Sequence, residues 1–376
     1  MTVELRGLTW DHPRGYRPLE AFEAAGGAPG VRVQWDRQPL SGFESEPLAA
    51  LTERYDLLVV DHPGLGAAIE AGAVLPVEDV FAARDLEVWR SRSVGQTWQS
   101  YHLHGMTWAL PLDAATQVCL FRPDLLTGPV PTTWSDILRM SGVLLCVAGP
   151  HAGLSLLGLA GDRSRTGLLD RNRSIEAIRL LRAIWRRSDH EAAELDPIAI
   201  HELLAISNEL VCCPLVYSYA YYGTASGDRK PLAWSAAPRL RVDDDLAAST
   251  LGGTGLAVTR RAYDRVLAVT KYARGLLDVG TQLDVVSPVG GQSATAAVWS
   301  SGLVDEAWNG HYSATLSTLE SAYIRPRFDG WIAFQDELSE RVRELLGSDG
   351  DPAVAVDRIE ADYRARVRDA VEVCHG

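Results

Sequence analysis

The sequence predicts an α/β protein built as two lobes. Its 376 residues exceed what one ordinary core organises. Continuous apolar runs such as Leu57-Leu58-Val59-Val60 are separated by segments of helical spacing, the pattern of a parallel sheet covered on both faces. The tripeptide Asp-His-Pro occurs twice, each time directly after a strand-like run, and open α/β sheets bind ligands outside the carboxyl ends of their strands.

In chain order, Val3 to Trp10 reads as a strand ending at Asp11-His12-Pro13, and Pro18 to Ala25 as a helix. Val31 to Trp35 alternates as a strand. Glu46 to Arg54 is helical, Asp56 to Val60 is a buried strand ending at Asp61-His62-Pro63, and Gly64 to Gly72 is a short helix stopped by glycine. A second run begins near Asp113. Thr116 to Arg122 is strand-like, Trp134 to Met140 is a helix capped by Thr133, and Val143 to Val147 is a buried strand. Ser174 to Arg187 and Pro197 to Leu210 have helical spacing, and Val211 to Val216 is another buried strand. The chain then returns through the glycine-rich strand Leu251 to Thr259. It ends in helices at Ala262 to Val279, Asp329 to Leu346 and Pro352 to Val373. No internal repeat or low-complexity linker interrupts it, so the lobes are expected to be joined by several crossings.

Composition narrows the function classes. Hydrophobic content of 47% and charged content of 23% are those of a globular protein. A net charge of −13 argues against nucleic acid and anionic membranes as partners. No apolar run approaches a membrane span, and no targeting segment is visible. The expected location is therefore cytoplasmic, or extracytoplasmic if a leader has been removed. The five cysteines, Cys119, Cys146, Cys212, Cys213 and Cys374, form no C-x-x-C pair, and the first four lie in apolar runs expected to bury them as free thiols.

Several local patterns, in order, resemble one family. Tyr55 to Val60 followed by Ala71-Gly72-Ala73-Val74-Leu75-Pro76 is similar to a ligand-side strand, a helix and a G-x-L-x-P-L passage. His104 to Pro111 followed by Thr116 to Arg122 resembles a hinge strand. Pro131-Thr132-Thr133-Trp134-Ser135-Asp136-Ile137-Leu138 resembles a P-x-T-W-D-E-L helix start. Leu251 to Thr259 resembles a G-G-x-G-L-A-V return strand, and Tyr323 to Arg327 a late R-P-R segment. The chain thus resembles the extracellular solute-binding proteins of ABC importers, in the branch that binds sugars. The resemblance implies a type II periplasmic-binding-protein-like fold, with hinge-linked lobes and a ligand cleft between them. The expected lobes are 1–112 with 252–300, and 113–251 with 301–376. It also implies an ABC permease as partner. The family's usual secretion or lipoprotein signal is missing, and the paired Asp-His-Pro segments are not a general feature of the family.

Candidate ligand-binding residues follow from position and chemistry. Trp10, Asp11, His12 and Arg14 combine an aromatic face with charged hydrogen-bonding groups, as a sugar site requires, or else form an Asx-type turn with Pro13 and Gly15 reversing the chain. Asp61 and His62 repeat the pattern, although Asp61 could serve only as a helix N-cap. Asp113 follows the hinge strand, where the resembled family often faces its cleft. Tyr217 and Tyr219 alternate after a strand and would share one face. Gly252, Gly253 and Thr254 permit close backbone approach to a ligand. Arg325 and Arg327 read as a surface ion-pair set before a carboxylate clamp. His102 and His104 could share a strand face, but no third ligand is evident and no metal is expected. Neither a P-loop nor a dinucleotide fingerprint is present, so no cofactor is expected.

The leading expectation is a protein that closes on a small polar ligand: a sugar, polyol or sugar acid. The alternative is a cytoplasmic isomerase, lyase or hydrolase on the same fold. There His12 and His62, oriented by Asp11 and Asp61, would do acid/base chemistry, with Arg14 or the glycine-rich loop steadying an oxyanion. A third option is a cytoplasmic sensor subunit that reports ligand closure to a partner.

Overall fold

The computed structural model describes residues 2–40, 42, 48–188, 190–244 and 248–373. Its principal strands are β1 (Val3–Trp10), β2 (Val31–Gln38), β3 (Leu57–Val60), β4 (Leu110–Phe121), β5 (Cys212–Tyr217), β6 (Ala233–Ser235) and β7 (Leu251–Val258). The helices used below are α1 (Pro13–Ala24), α2 (Ala83–Arg92), α3 (His151–Ala160), α4 (Arg171–Trp185), α5 (Val266–Leu276) and α6 (Pro352–Val373). The chain divides into two compact units. The first comprises Met1–Ala114, Gly252–Ala307 and Pro326–Trp331; the second comprises Ala115–Leu251, Trp308–Arg325 and Ile332–Gly376. Residues 301–307 and 326–331, assigned from sequence to the second lobe, cluster with the first unit. Gly66 makes room for the latter segment, because a Cβ there would sit 2.0 Å from the Arg327 carbonyl oxygen. Among the described residues, no helix is long and apolar enough to cross a membrane.

In the first unit the strand order is β2-β1-β3-β7. β1 pairs in parallel with β2 from Val3 opposite Val31 to Trp10 opposite Gln38, and with β3 at Leu8 opposite Leu58. β7 returns antiparallel to β3, with Gly255 opposite Val60. Edge strand β2 buries Val31 and Val33 and exposes Arg32 and Gln34, whereas all of β3 is buried. One core cluster gathers Leu8, Leu58, Val60, Leu65, Tyr101 and Ala257, each large aliphatic contributing about 1.5–3 kcal/mol by burial. Helices α1 and α5 meet where Phe22 packs edge-on to Tyr272 at 5.3 Å, and Trp35 Nε1 donates to Tyr272 Oη at 3.0 Å.

Helix α1 starts at Pro13, not at Pro18. His12 is its N-cap, in extended conformation, and Pro13 takes the first helical position, where a missing N–H costs nothing. Pro18 sits inside the helix. The expectation failed because the same prolines also signal turns. Gly15 lets the helix lie on Trp10, since a Cβ there would come 2.4 Å from the indole nitrogen. Between 46 and 54, Leu48–Leu51 is the helical span described; residues 43–47 fall outside the described residues. His102 and His104 do not share a strand face: residues His102–Leu103 pair with Met106–Thr107, and His104 and Gly105 form the turn with φ of 54° and 78°.

In the second unit β4 runs antiparallel to β5, from Gln117 opposite Tyr217 to Phe121 opposite Cys212, and to β6 with Leu120 opposite Trp234. The expected strand at 143–147 reduces to one parallel bridge, Val143 with Cys212. Helix α3 is buried at every position, in keeping with a composition that is apolar apart from His151 and Ser155. It packs on α4, which packs on α6. Thr133 and Asp136 form a reciprocal capping box at the start of the short helix Trp134–Arg139. Cys119, Cys146, Cys212 and Cys213 are buried free thiols. Burial pushes the Cys213 thiol up to about 12. Cys374 lies outside the described residues.

Candidate functional site

The parallel pairing of β1, β2 and β3 places their carboxyl ends side by side in the first unit, next to the amino end of antiparallel β7. Gln38, Trp10-Asp11-His12, Asp61-His62 and Thr254 therefore come to one sheet edge. This is the edge at which such sheets bind ligands.

Each Asp-His-Pro segment first serves its own backbone. His12 stacks on Trp10, with ring centroids 5.3 Å apart and planes 12° from parallel. Its Nδ1 accepts the Arg14 backbone N–H at 3.1 Å. That bond assigns the imidazole proton to Nε2. Asp11 is exposed, with its carboxylate 3.6 Å from Arg37, which also pairs with Glu20 and lies over Tyr16. Asp61 Oδ1 accepts from the His62 N–H at 2.8 Å and caps the single turn His62–Gly64. His62 is 1% exposed and meets Tyr101 edge-on. Asp61 remains partly exposed.

Arg14 and Asp113 meet each other. Arg14 Nε donates to Asp113 Oδ2 at 2.8 Å, and its NH2 to Oδ1. Their side chains are 4% and 11% exposed, and the guanidinium also lies 5.7 Å from the Trp10 ring. Beside this pair is a cavity of about 20 Å³, bounded in part by Trp10, Thr254 and Gln292 and large enough for one water.

The glycines of β7 have a different purpose from the one expected. Gly253 has φ of +100°, and a Cβ there would fall 2.3 Å from the Asp113 carbonyl oxygen. A Cβ on Gly255 would meet the Tyr101 ring at 2.8 Å. The close approach at Gly253 and Gly255 is therefore made by the protein's own chain. Gly252 precedes them in β7.

In the second unit, Tyr217 and Tyr219 diverge because β5 ends at Tyr217. Tyr217 Oη lies 2.9 Å from Thr250 Oγ1, and its ring faces His151. Tyr219 is 4% exposed and packs on His201 and Tyr222. Burial, with a smaller contribution from Arg325, holds His151 down to about 3. Arg325, expected at the surface, is buried, with Gln335 Oε1 at 3.4 Å. Arg327 donates to the carbonyls of Gln99, Ser100 and His102.

Gln38 was not anticipated. It closes β2 opposite Trp10. Its Oε1 is buried with no hydrogen-bond partner among the described residues, an open acceptor of the kind a ligand or water fills. No local pattern marked it, because the apolar alternation of β2 stops at Trp35 and Asp36, Arg37 and Gln38 are all polar.

No family model matches the chain, and no curated protein does. Solved structures do. MalE3 of T. maritima with maltose bound is 16% identical at a TM-score of 0.78, covering 96% of this chain and 99% of that one. An ABC transporter solute-binding protein from Agrobacterium radiobacter, in complex with ribitol, is 16% identical at 0.76, covering 96% and 98%. The GacH receptor of Streptomyces glaucescens, solved unliganded and with acarbose, is 15% identical at 0.77, covering 98% and 99%. The chain thus has the two-lobed α/β fold of periplasmic binding proteins, and these neighbours were solved with maltose, ribitol or acarbose bound.

Proposed function

We propose that this protein is a solute-binding component of an ABC importer and captures a neutral polyhydroxyl ligand, a sugar or polyol. The fold likeness over nearly the whole chain carries this reading. The first unit's strand edge narrows the ligand class. Its acceptors are the carboxylates of Asp11 and Asp61 and the amide oxygen of Gln38. The cations beside it are already committed, Arg14 to Asp113 and Arg37 to Glu20 and Asp11. Such a set accepts hydrogen bonds from hydroxyls and repels a carboxylate, which disfavours the sugar acids that sequence left open.

The geometry does not favour acid/base chemistry at the two histidines. As a base at Nδ1, His12 would have to give up its bond to the Arg14 N–H, and His62 is sealed within the unit.

A thermal-shift panel of neutral sugars, polyols and their acid counterparts tests the proposal. A true ligand at 100 times its dissociation constant stabilises by about 2.7 kcal/mol. A hit among the neutral compounds is expected, with the acids inert. Preference for the acids would overturn the ligand class, and a flat response across the panel would overturn the binding function.

A further inference from the structure

On the first unit, away from the strand edge in sequence, α2 and the carboxyl end of α5 enclose a groove of about 420 Å³. Arg84, Val88, Trp89 and Arg92 line one wall, and Arg274 and Leu277 the other. Arg84, Val88 and Arg92 are spaced at i, i+4 and i+8, so they share one helix face. Trp89 is 9% exposed and held edge-on by Phe81 at 5.2 Å, which makes the floor rigid and apolar.

The groove's charges are unevenly committed. Arg274 is held by Asp85 through contacts of 3.0 and 2.6 Å. Asp278 caps the backbone N–H groups of Gly280 and Thr281. Arg84 and Arg92 are exposed and have no ion pair among the described residues. Two uncommitted guanidinium groups thus flank an apolar floor on a chain of net charge −13.

We infer that this groove docks an extended acidic segment of a partner protein. Eight helical residues set the Arg84 and Arg92 backbones about 12 Å apart along the axis. An extended peptide advances about 3.3 Å per residue. Two acidic side chains four residues apart therefore match the two arginines, and an apolar residue between them falls over Val88 and Trp89. Guanidinium forks grip carboxylates bidentately, and arginine clusters are a recurrent means of reading acidic motifs.

The test uses the full chain without added sugar, so its outcome is independent of the ligand proposal. The probe is a fluorescein-labelled nonapeptide with glutamate at its third and seventh positions and leucine at its fifth. Anisotropy at low ionic strength should saturate, and the signal should weaken as salt is added. Arg84→Glu and Arg92→Glu should each weaken binding by about fivefold or more, and the lysine version of the peptide should not bind. Both arginines are exposed, so unchanged circular dichroism is expected to confirm folding. Absence of saturation up to about 1 mM peptide, or binding indifferent to both substitutions, would overturn the inference. So would displacement of the peptide by low-millimolar inorganic phosphate, which marks a simple anion site. Arginine-dependent sedimentation with phosphatidylglycerol vesicles in place of peptide binding would instead assign the groove to a membrane surface.

Discussion

Removing one member of the Arg14–Asp113 pair should damage the first unit far more than removing both. The side chains are 4% and 11% exposed and joined by a two-pronged contact. Hydrogen bonds to charged groups contribute about 1.5–3 kcal/mol each, and a deletion also strands the surviving charge out of water. Arg14→Met or Asp113→Leu alone should therefore cost about 3–5 kcal/mol. The double variant removes both charges and leaves apolar groups of similar reach, so it should cost only about 0–2 kcal/mol. Urea unfolding of the four proteins, followed by circular dichroism and tryptophan fluorescence, closes the double-mutant cycle. Strong non-additivity is expected. If the double variant loses the sum of the single losses, or if either single loses under about 1 kcal/mol, the pair is not a coupled buried unit and the reasoning about Arg14 at the ligand edge fails with it.

Other outcomes follow from the same geometry. Gly253→Ala, at φ of +100° with 2.3 Å to the Asp113 oxygen, should lose about 2 kcal/mol or more in a urea midpoint measurement; a change below about 0.5 kcal/mol would refute the close approach. Gln38→Ala should weaken binding of the identified sugar or polyol about tenfold by calorimetry, with little change in melting temperature; unchanged affinity would remove Gln38 from the site. His151 is held neutral when folded, down to about 3 from an ordinary 6.5. Below pH 6.5 the unfolded chain takes up a proton that the folded chain refuses, so stability is full above that pH and falls toward pH 3. At pH 5 the loss is about 2 kcal/mol, and His151→Gln should flatten that part of the urea-unfolding profile. An identical slope in the variant would count against it.

What was legible in the sequence was what local patterning encodes. The unbroken apolar run of β3, the alternation at the start of β2 and the glycine-rich return strand each declare their own environment. The two Asp-His-Pro segments could be placed at strand ends for the same reason. What could not be read depends on residues distant in sequence. Asp113 lies 99 residues from the arginine it neutralises, so both looked like ligand contacts. Gly253 looked like room for a ligand because nothing local reveals that the Asp113 backbone occupies that space. Tyr219 was put beside Tyr217 because nothing between them marks the strand end. The start of α1 was missed for a different reason: proline at a first helical position and proline in a turn have the same local signature.

The return strand also has a consequence for biosynthesis. The residue that pairs with Val60 is Gly255, about 195 positions later. On a ribosome adding about 5–20 residues per second, the open flank of β3 waits roughly 10–40 s for its neighbour. During that interval the nascent chain exposes an unpaired, wholly apolar strand, a ready template for pairing with other chains. Truncations placed before residue 251 should therefore yield sticky, chaperone-bound fragments instead of a free-standing amino-terminal half.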